Sequence, residues 1–352
     1  MAIKFKREIM NSFGRIFRAS ILGESHGDYV GVVIDGYPAG ISLSSDDFTI
    51  DIERRKPGAK GTTPRKEDDI PEIVSGVFNG KTTGTPITIL FKNSNTRSAD
   101  YEKQRAVPRP GHADFVAGKK FGGFEDYRGG GHFSGRLTVA LVAAGVIAKR
   151  LLLSLPVGQA GTSQTDGIKI SSSILEIAGE PDTEKGLQKA IDAKDTVGGI
   201  VECRVTGLPI GLGEPFFDSA ESLISHAVFA IPAVRGIEFG TGFAAAKMFG
   251  SMHNDSLENM EGKTFTNHAG GIVGGLTNGN VLIFRIAIKP TSSTPKEQQT
   301  LNIETGNVES FSVKGRHDLC IALRVPVVLE AVTAIVLADL LMIDNKINPV
   351  SA

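Results

Sequence analysis

The sequence predicts an α+β fold in which two similar sheets lay their apolar faces on two central helices. Two observations predict it. The two most apolar runs, Leu137–Leu153 and Val325–Ile343, have helix length, and each is entered by a polar turn. The second half of the chain also echoes the first, in order. Gly36-Tyr37-Pro38-Ala39-Gly40 returns as Gly207-Leu208-Pro209-Ile210-Gly211, and SGVFNGKTTGTPITILFK (75–92) returns as GGIVGGLTNGNVLIFRIAIK (270–289). The turn at Arg136 returns as Arg316-His317-Asp318, with Pro326 placed for the first turn of the helix that follows. Three echoes in one order point to a degenerate internal duplication. Chance similarity in a chain with 42 glycines is the competing explanation.

Composition narrows the class. The chain has 352 residues, 41% hydrophobic and 22% charged, as ordinary globular proteins do. A net charge of −1 argues against a general polyanion binder, so no nucleic acid is expected and any anion site must come from local clustering. Cys203 and Cys320 are too few for a disulfide framework, which fits a reducing compartment. The opening MAIKFKREIMNSFG lacks the apolar core of a signal peptide. The first apolar run carries Lys149 and Arg150, the second Glu330 and Asp339, so both read as buried core helices and not as membrane spans. A cytoplasmic protein is the expectation.

Taken in order, Phe17–Leu22 and Tyr29–Ile34 are β-rich runs around the polar loop Gly23-Glu24-Ser25-His26-Gly27. Ser44 or Ser45 suits the N-cap of a short helix ending at Pro57. Arg54, Arg55, Lys56, Lys60, Arg65 and Lys66 then crowd a Gly/Pro-rich segment, read as a mobile basic flap over an anion. Gly80-Lys81-Thr82 resembles a P-loop, but Ser75 stands where its first glycine belongs and a strand follows, so a hairpin is expected. Arg109 and His112 sit in a proline-stiffened loop; His112-Ala113-Asp114 has no third metal ligand at helical spacing. Residues 158–198 read as peripheral strands and one helix. Lys289-Pro290-Thr291-Ser292-Ser293 makes a hydroxyl-rich loop after a strand, suited to an anion or cofactor.

The stretch from Asp126 to Leu153 anchors the chain. Gly129, Gly130 and Gly131 let the backbone take positive φ, Arg128 and Arg136 flank them, and an apolar helix follows. A Gly-rich turn feeding a helix start suits an anion, and arginine forks match phosphate or carboxylate. No dinucleotide fingerprint accompanies it, since GGGHFSG lacks the preceding strand and the later acidic residue.

Together these stretches resemble the chorismate synthase family. GESHGDYVGVVIDGYP, GHFSGRLTVALVAAGV and GRHDLCIALRVPVVLEA match its three signatures, and RRKPG, SGVFNGKTTGTPI, RPGHAD, TNHAGGIVGG and KPTSS follow in family order. The chain departs where most members carry RSSARET: His132 to Thr138 stand there, with His132 in place of the first arginine. Pro232-Ala233 stands in place of an Asn-Ala pair, and Lys60 in place of an arginine.

The resemblance implies one domain over residues 1–352, with 1–13 as an extension and pseudo-repeat halves at about 14–157 and 199–345. It implies central helices sandwiched between antiparallel sheets, in a homotetramer. The implied reaction is the 1,4-anti elimination of phosphate from 5-enolpyruvylshikimate 3-phosphate, giving chorismate. It requires reduced FMN, with NADPH as a candidate reductant. The implied roles are His26 as general acid for the leaving phosphate, His112 at flavin N1 and Asp318 near flavin N5. His132, Phe133, Ser134, Pro232, Ala233 and Gly274 would hold the flavin. Lys289, Pro290, Thr291, Ser292, Ser293 and Arg316 would complete its site. Ser25, Arg55, Lys60, Arg109 and Arg136 would hold the substrate, and no metal is implied. Two other classes stay open: a metal-dependent phosphatase built on His26, His112 and Asp114, and a paralogue that binds flavin without turnover.

Overall fold

The computed structural model describes residues 11–64, 67–95, 105–154, 167–313 and 317–345. The chain opens with β1 (Ser12–Phe13), β2 (Arg18–Gly23) and β3 (Tyr29–Asp35). Ser44 then begins a 3₁₀ turn, where its backbone N–H donates to Asp47 Oδ2 at 2.7 Å, and the turn runs into a helix at Thr49–Arg55. β4 (Glu72–Ser75) leads to a small hairpin of β5 (Val77–Phe78) and β6 (Lys81–Thr82), and β7 (Ile87–Lys92) follows. The first sheet has the order β1-β2-β3-β7-β4, antiparallel throughout. Val30, Val32 and Ile34 on β3, with Ile87, Ile89 and Phe91 on β7, alternate into the core as a period of two requires.

The second sheet repeats this plan. β8 (Lys169–Ile177) is followed by a helix at Thr183–Ala193, β9 (Gly199–Thr206), a helix at Ala220–Val228 and β10 (Val234–Phe239). Then come a hairpin of β11 (Ile272–Val273) and β12 (Leu276–Thr277), and β13 (Leu282–Ile288). The order β8-β9-β13-β10 is that of β2-β3-β7-β4. The likeness reaches single hydrogen bonds. Thr82 Oγ1 donates to Pro38 O at 2.7 Å and accepts from Ile41 N at 3.0 Å; Thr277 Oγ1 donates to Pro209 O at 2.7 Å and accepts from Leu212 N at 2.9 Å. A last hairpin, β14 (Gln298–Leu301) with β15 (Val308–Phe311), stands apart from both sheets.

Two central helices, Thr138–Ser154 and Val325–Asp344, fill the space between the sheets. The first packs on β3 and β7, the second on β8 and β9, and the two pack on each other. Both are apolar nearly all round because both are buried nearly all round. They come close enough at Gly145 that an added Cβ would lie 2.3 Å from Ala331 Cβ.

The two buried carboxylates of the second helix are paired within the protein. Asp339 accepts backbone hydrogen bonds from Arg15, Ile16 and Phe17 at 2.8, 2.7 and 2.9 Å, tying the start of the chain to its last helix. Glu330 takes a two-pronged contact from Arg54 at 2.6 and 2.7 Å, Lys149 Nζ at 3.1 Å and Ser172 N at 3.1 Å. That cluster locks the Thr49–Arg55 helix onto the sandwich, and so sets where Arg55 lies.

Candidate active site

The N-terminal ends of both central helices open on one cavity of about 370 Å3. Ser134, Gly135, Arg136 and Thr138 line it from the turn into the first helix, and Ile321, Arg324, Val325 and Val328 from the turn into the second and its first residues. Two positive dipole ends thus border one space, which favours a negative ligand.

The three glycines have a further purpose. Their φ values are 62°, 84° and 52°, all left-handed. A Cβ on Gly129 would lie 2.5 Å from His26 Cδ2 and 2.7 Å from its Nε2; one on Gly130 would lie 3.0 Å from His112 Cε1. The turn is therefore bare where two imidazoles approach it, His26 against Gly129 and His112 against Gly130. His26 is buried behind Gly129, which lines the cavity, and Ser25 Oγ beside it is buried with no partner among the described residues.

His112 reaches the cavity directly. Its Nδ1 lies 2.6 Å from Asp114 Oδ1, and Arg109 grips the same carboxylate through Nε and Nη2, each at 2.8 Å. Burial works against the Asp114 charge, but the bonds from Arg109 and His112 outweigh it and hold the carboxyl well below the usual range. Arg109 also donates from Nη1 to Ser293 Oγ at 3.1 Å.

Arg55 and Arg136 share Asp69. Arg55 Nη1 donates to Asp69 Oδ2 at 3.1 Å, and Arg136 Nη1 pairs with Asp69 Oδ1. Arg324 donates from Nε to Arg55 O at 3.0 Å and from Nη1 to Asp318 Oδ2 at 3.3 Å, while Thr63 N donates to Asp318 Oδ1 at 2.8 Å. Burial, then the nearby Arg324 cation, works against the charge on Arg55, and Asp69 works for it.

Across the cavity, Lys289 Nζ donates to Ser292 Oγ at 2.6 Å and to Gly111 O at 3.1 Å. Burial, and then Arg235, pushes that amine below its ordinary range. Thr291 Oγ1 is buried with no partner among the described residues. Phe133, Pro232, Ala233, Pro290 and Ser293 complete this wall.

Other expected site residues stand elsewhere. Lys60 is exposed, with Nζ 3.1 Å from Gln188 Oε1. Gly274 is in the turn between β11 and β12, outside the cavity lining. His132 points Nδ1 at Gly23 O, 2.8 Å away, and lines a neighbouring, mainly apolar cavity of about 560 Å3. Arg316, Arg65 and Lys66 lie outside the described residues. The basic run does not begin as a flap: Arg54 and Arg55 belong to a helix, and Arg55 is buried. Spacing missed Asp69, Arg324 and Thr63. The one local signal was that Glu67-Asp68-Asp69 directly follows the basic run.

Comparison with known proteins gives a consistent outcome. The family model described as chorismate synthase matches residues 17–342. A chorismate synthase of Chitinophaga pinensis is 68% identical over 97% of this chain and 99% of its own length. One of Dehalococcoides mccartyi is 46% identical over 94% of this chain and 96% of its own length. A crystal structure of chorismate synthase superposes with a TM-score of 0.69 at 26% identity, covering 94% of this chain and 93% of that one.

Proposed function

The chain belongs to the chorismate synthase family, and we propose that it carries out that family's elimination in the cavity between the helix ends, against reduced FMN. The reaction breaks the C–O bond to phosphate in 5-enolpyruvylshikimate 3-phosphate and removes a ring proton, leaving chorismate and phosphate with no net redox change. One observation carries the assignment of the site. Two helix N-termini, the guanidinium groups of Arg55, Arg109 and Arg136, and His112 converge on one cavity, with His26 behind its Gly129 wall. A substrate with two carboxylates and a phosphate needs that concentration of positive charge, which a chain of net charge −1 supplies only locally.

The residues present fit a flavin. Thr291 Oγ1 and Ser25 Oγ are buried hydroxyls with no partner among the described residues, and the bare Gly129–Gly131 turn leaves room where a side chain would intrude. Lys289, Thr291, Ser292 and Ser293 would hold its phosphate and polar edge, with Phe133, Ser134, Pro232, Ala233 and Pro290 along its plane. When bound, reduced flavin lends electron density to the reacting ring and recovers it.

The protein's own steps follow from its donors. Arg55, Arg109 and Arg136 bind and orient the trianion. His26 donates a proton to the leaving phosphate oxygen. His112, with Nδ1 committed to Asp114, keeps Nε2 for the cavity and holds a proton opposite an anionic cofactor edge. Asp318, fixed by Thr63 and Arg324, is the carboxylate available for the proton that leaves the ring. The apolar wall from Ile321, Val325 and Val328 excludes water. A homotetramer in the cytoplasm and the two-halved single domain are parts of the same proposal; the repeated strand order supports the two halves, and two buried free cysteines fit a reducing compartment.

Anaerobic turnover with chemically reduced FMN tests the reading. Chorismate and phosphate should form in equal amounts with reduced FMN and not with oxidised FMN. No product with reduced FMN would sink it. Adding NADPH to oxidised FMN then determines whether this chain reduces its own flavin.

A further inference from the structure

We infer that Asp69 is a positioning residue for the reaction, holding Arg55 and Arg136 as one rigid anion-binding pair. The inference rests on the reading of those arginines as substrate ligands. Asp69 is 4% exposed, and its carboxylate spans two guanidinium groups that are themselves buried. Its φ is 51°, a left-handed conformation that a non-glycine residue rarely adopts. Such an outlier persists where surrounding contacts over-determine it, and it clusters at functional sites.

The donor arrangement gives the reason. Arg55 places Nε on Thr138 Oγ1 at 2.9 Å and Nη2 on the carbonyls of Gly135 and Arg136 at 3.3 and 3.1 Å, besides its bond to Asp69. Arg136 places Nε on Asn93 Oδ1 at 2.9 Å and Nη2 on Lys92 O at 3.5 Å, besides its own bond to Asp69. A guanidinium has five N–H groups, so the pair keeps three that these bonds do not use, and both side chains line the cavity. Without a shared anion, two buried cations side by side repel and turn apart. With it, the two guanidinium groups are held side by side at the cavity wall.

A residue that only neutralises charge predicts the opposite result from one that positions. Removing a neutraliser makes the cavity more positive and tightens a trianion. Removing a positioner loosens it. In Asp69→Asn, assayed anaerobically with reduced FMN, KM for 5-enolpyruvylshikimate 3-phosphate should rise about 10–100-fold, as for one or two lost charge-assisted hydrogen bonds. The kcat should fall by less than KM rises, and FMN affinity should change by less than about twofold, because other residues line the flavin's side of the cavity. Asp69→Glu keeps the buried charge, and so the folded protein, but moves the carboxylate by a methylene; its KM should rise as well. An unchanged or lowered KM in either variant overturns the inference. Arg55→Lys and Arg136→Lys separate the two levels. If both keep the original KM, the arginines are not substrate ligands. If both raise KM while the Asp69 variants do not, only the positioning role fails.

Discussion

His112 and Asp114 meet through Nδ1 and Oδ1 at 2.6 Å, and Gly130 lies against the opposite edge of the ring, where a Cβ would come within 3.3 Å of Nε2. The carboxylate accepts from Nδ1–H and so fixes the orientation of the ring, and Gly130, having no side chain, leaves Nε2 uncovered. Asp114→Asn keeps the shape but offers an amide that can turn its N–H toward the ring. Turnover should fall about 10–100-fold, less than in His112→Ala, because the imidazole remains but its orientation is no longer imposed. Turnover equal to the parent protein would show that Asp114 serves Arg109 alone.

The same carboxylate makes stability depend on pH. Its folded-state pKa is depressed by Arg109 and His112 against the effect of burial. Such a group stabilises the fold above its unfolded pKa, about 3.9, and the contribution disappears as pH falls through the folded value. The unfolded chain takes up the proton first, so acid favours unfolding. In urea titrations Asp114→Asn should be less stable than the parent at pH 7, and the gap should narrow below about pH 4. A gap that is constant from pH 7 to pH 3 counts against the ion pair as its source.

His26 is separated from the cavity wall only by the bareness of Gly129. His26→Ala should lower turnover by about 10²–10⁴-fold, the range for a lost general acid, with FMN affinity near that of the parent. Gly129→Ala is a second route to the same loss. Its Cβ would collide with the His26 ring, and φ of 62° resists any side chain. Turnover like the parent's in His26→Ala sinks the assignment. Full activity in Gly129→Ala would show that the ring need not sit where it does.

Much of the fold was legible because its signals are local. Leu137–Leu153 and Val325–Ile343 are apolar on nearly every face, which a helix buried between layers needs, and their few charges mark them as core helices. The echo of Gly36–Gly40 at Gly207–Gly211 was visible because each segment meets a matching threonine, Thr82 or Thr277. The candidate site was legible in part through motif order, since His112, Arg109 and Arg136 line one cavity. What escaped are bonds between distant positions. Asp69 meets Arg55 across 14 positions and Arg136 across 67, and no periodicity links such pairs. The basic run looked like solvated flap because adjacent charges share a composition but not a destination: Arg54 goes to Glu330, Arg55 to Asp69 and Lys56 to Glu53.

His132 stands where most of the family has an arginine, and the sequence offers two roles for it: a switchable cation for the flavin, or a ring that packs on the flavin with no charge role. The structure points to a different role, away from the candidate flavin cavity. Nδ1 lies 2.8 Å from Gly23 O, so it serves as the donor of a hydrogen bond that ties the triglycine turn to the end of β2. The ring borders the neighbouring cavity with Phe13, His226 and Val332, not the one lined by Lys289 and Arg109. His132→Arg therefore adds a cation without restoring a flavin contact. Reduced-FMN affinity should follow the same pH profile in parent and variant between about pH 6 and 8, the range in which a histidine ordinarily titrates. Thermal stability should fall, because the Gly23 carbonyl loses its donor and a guanidinium enters a mainly apolar space. A profile that flattens in His132→Arg, with affinity retained at the alkaline end, would overturn this and make the imidazole a titratable substitute for the family's arginine.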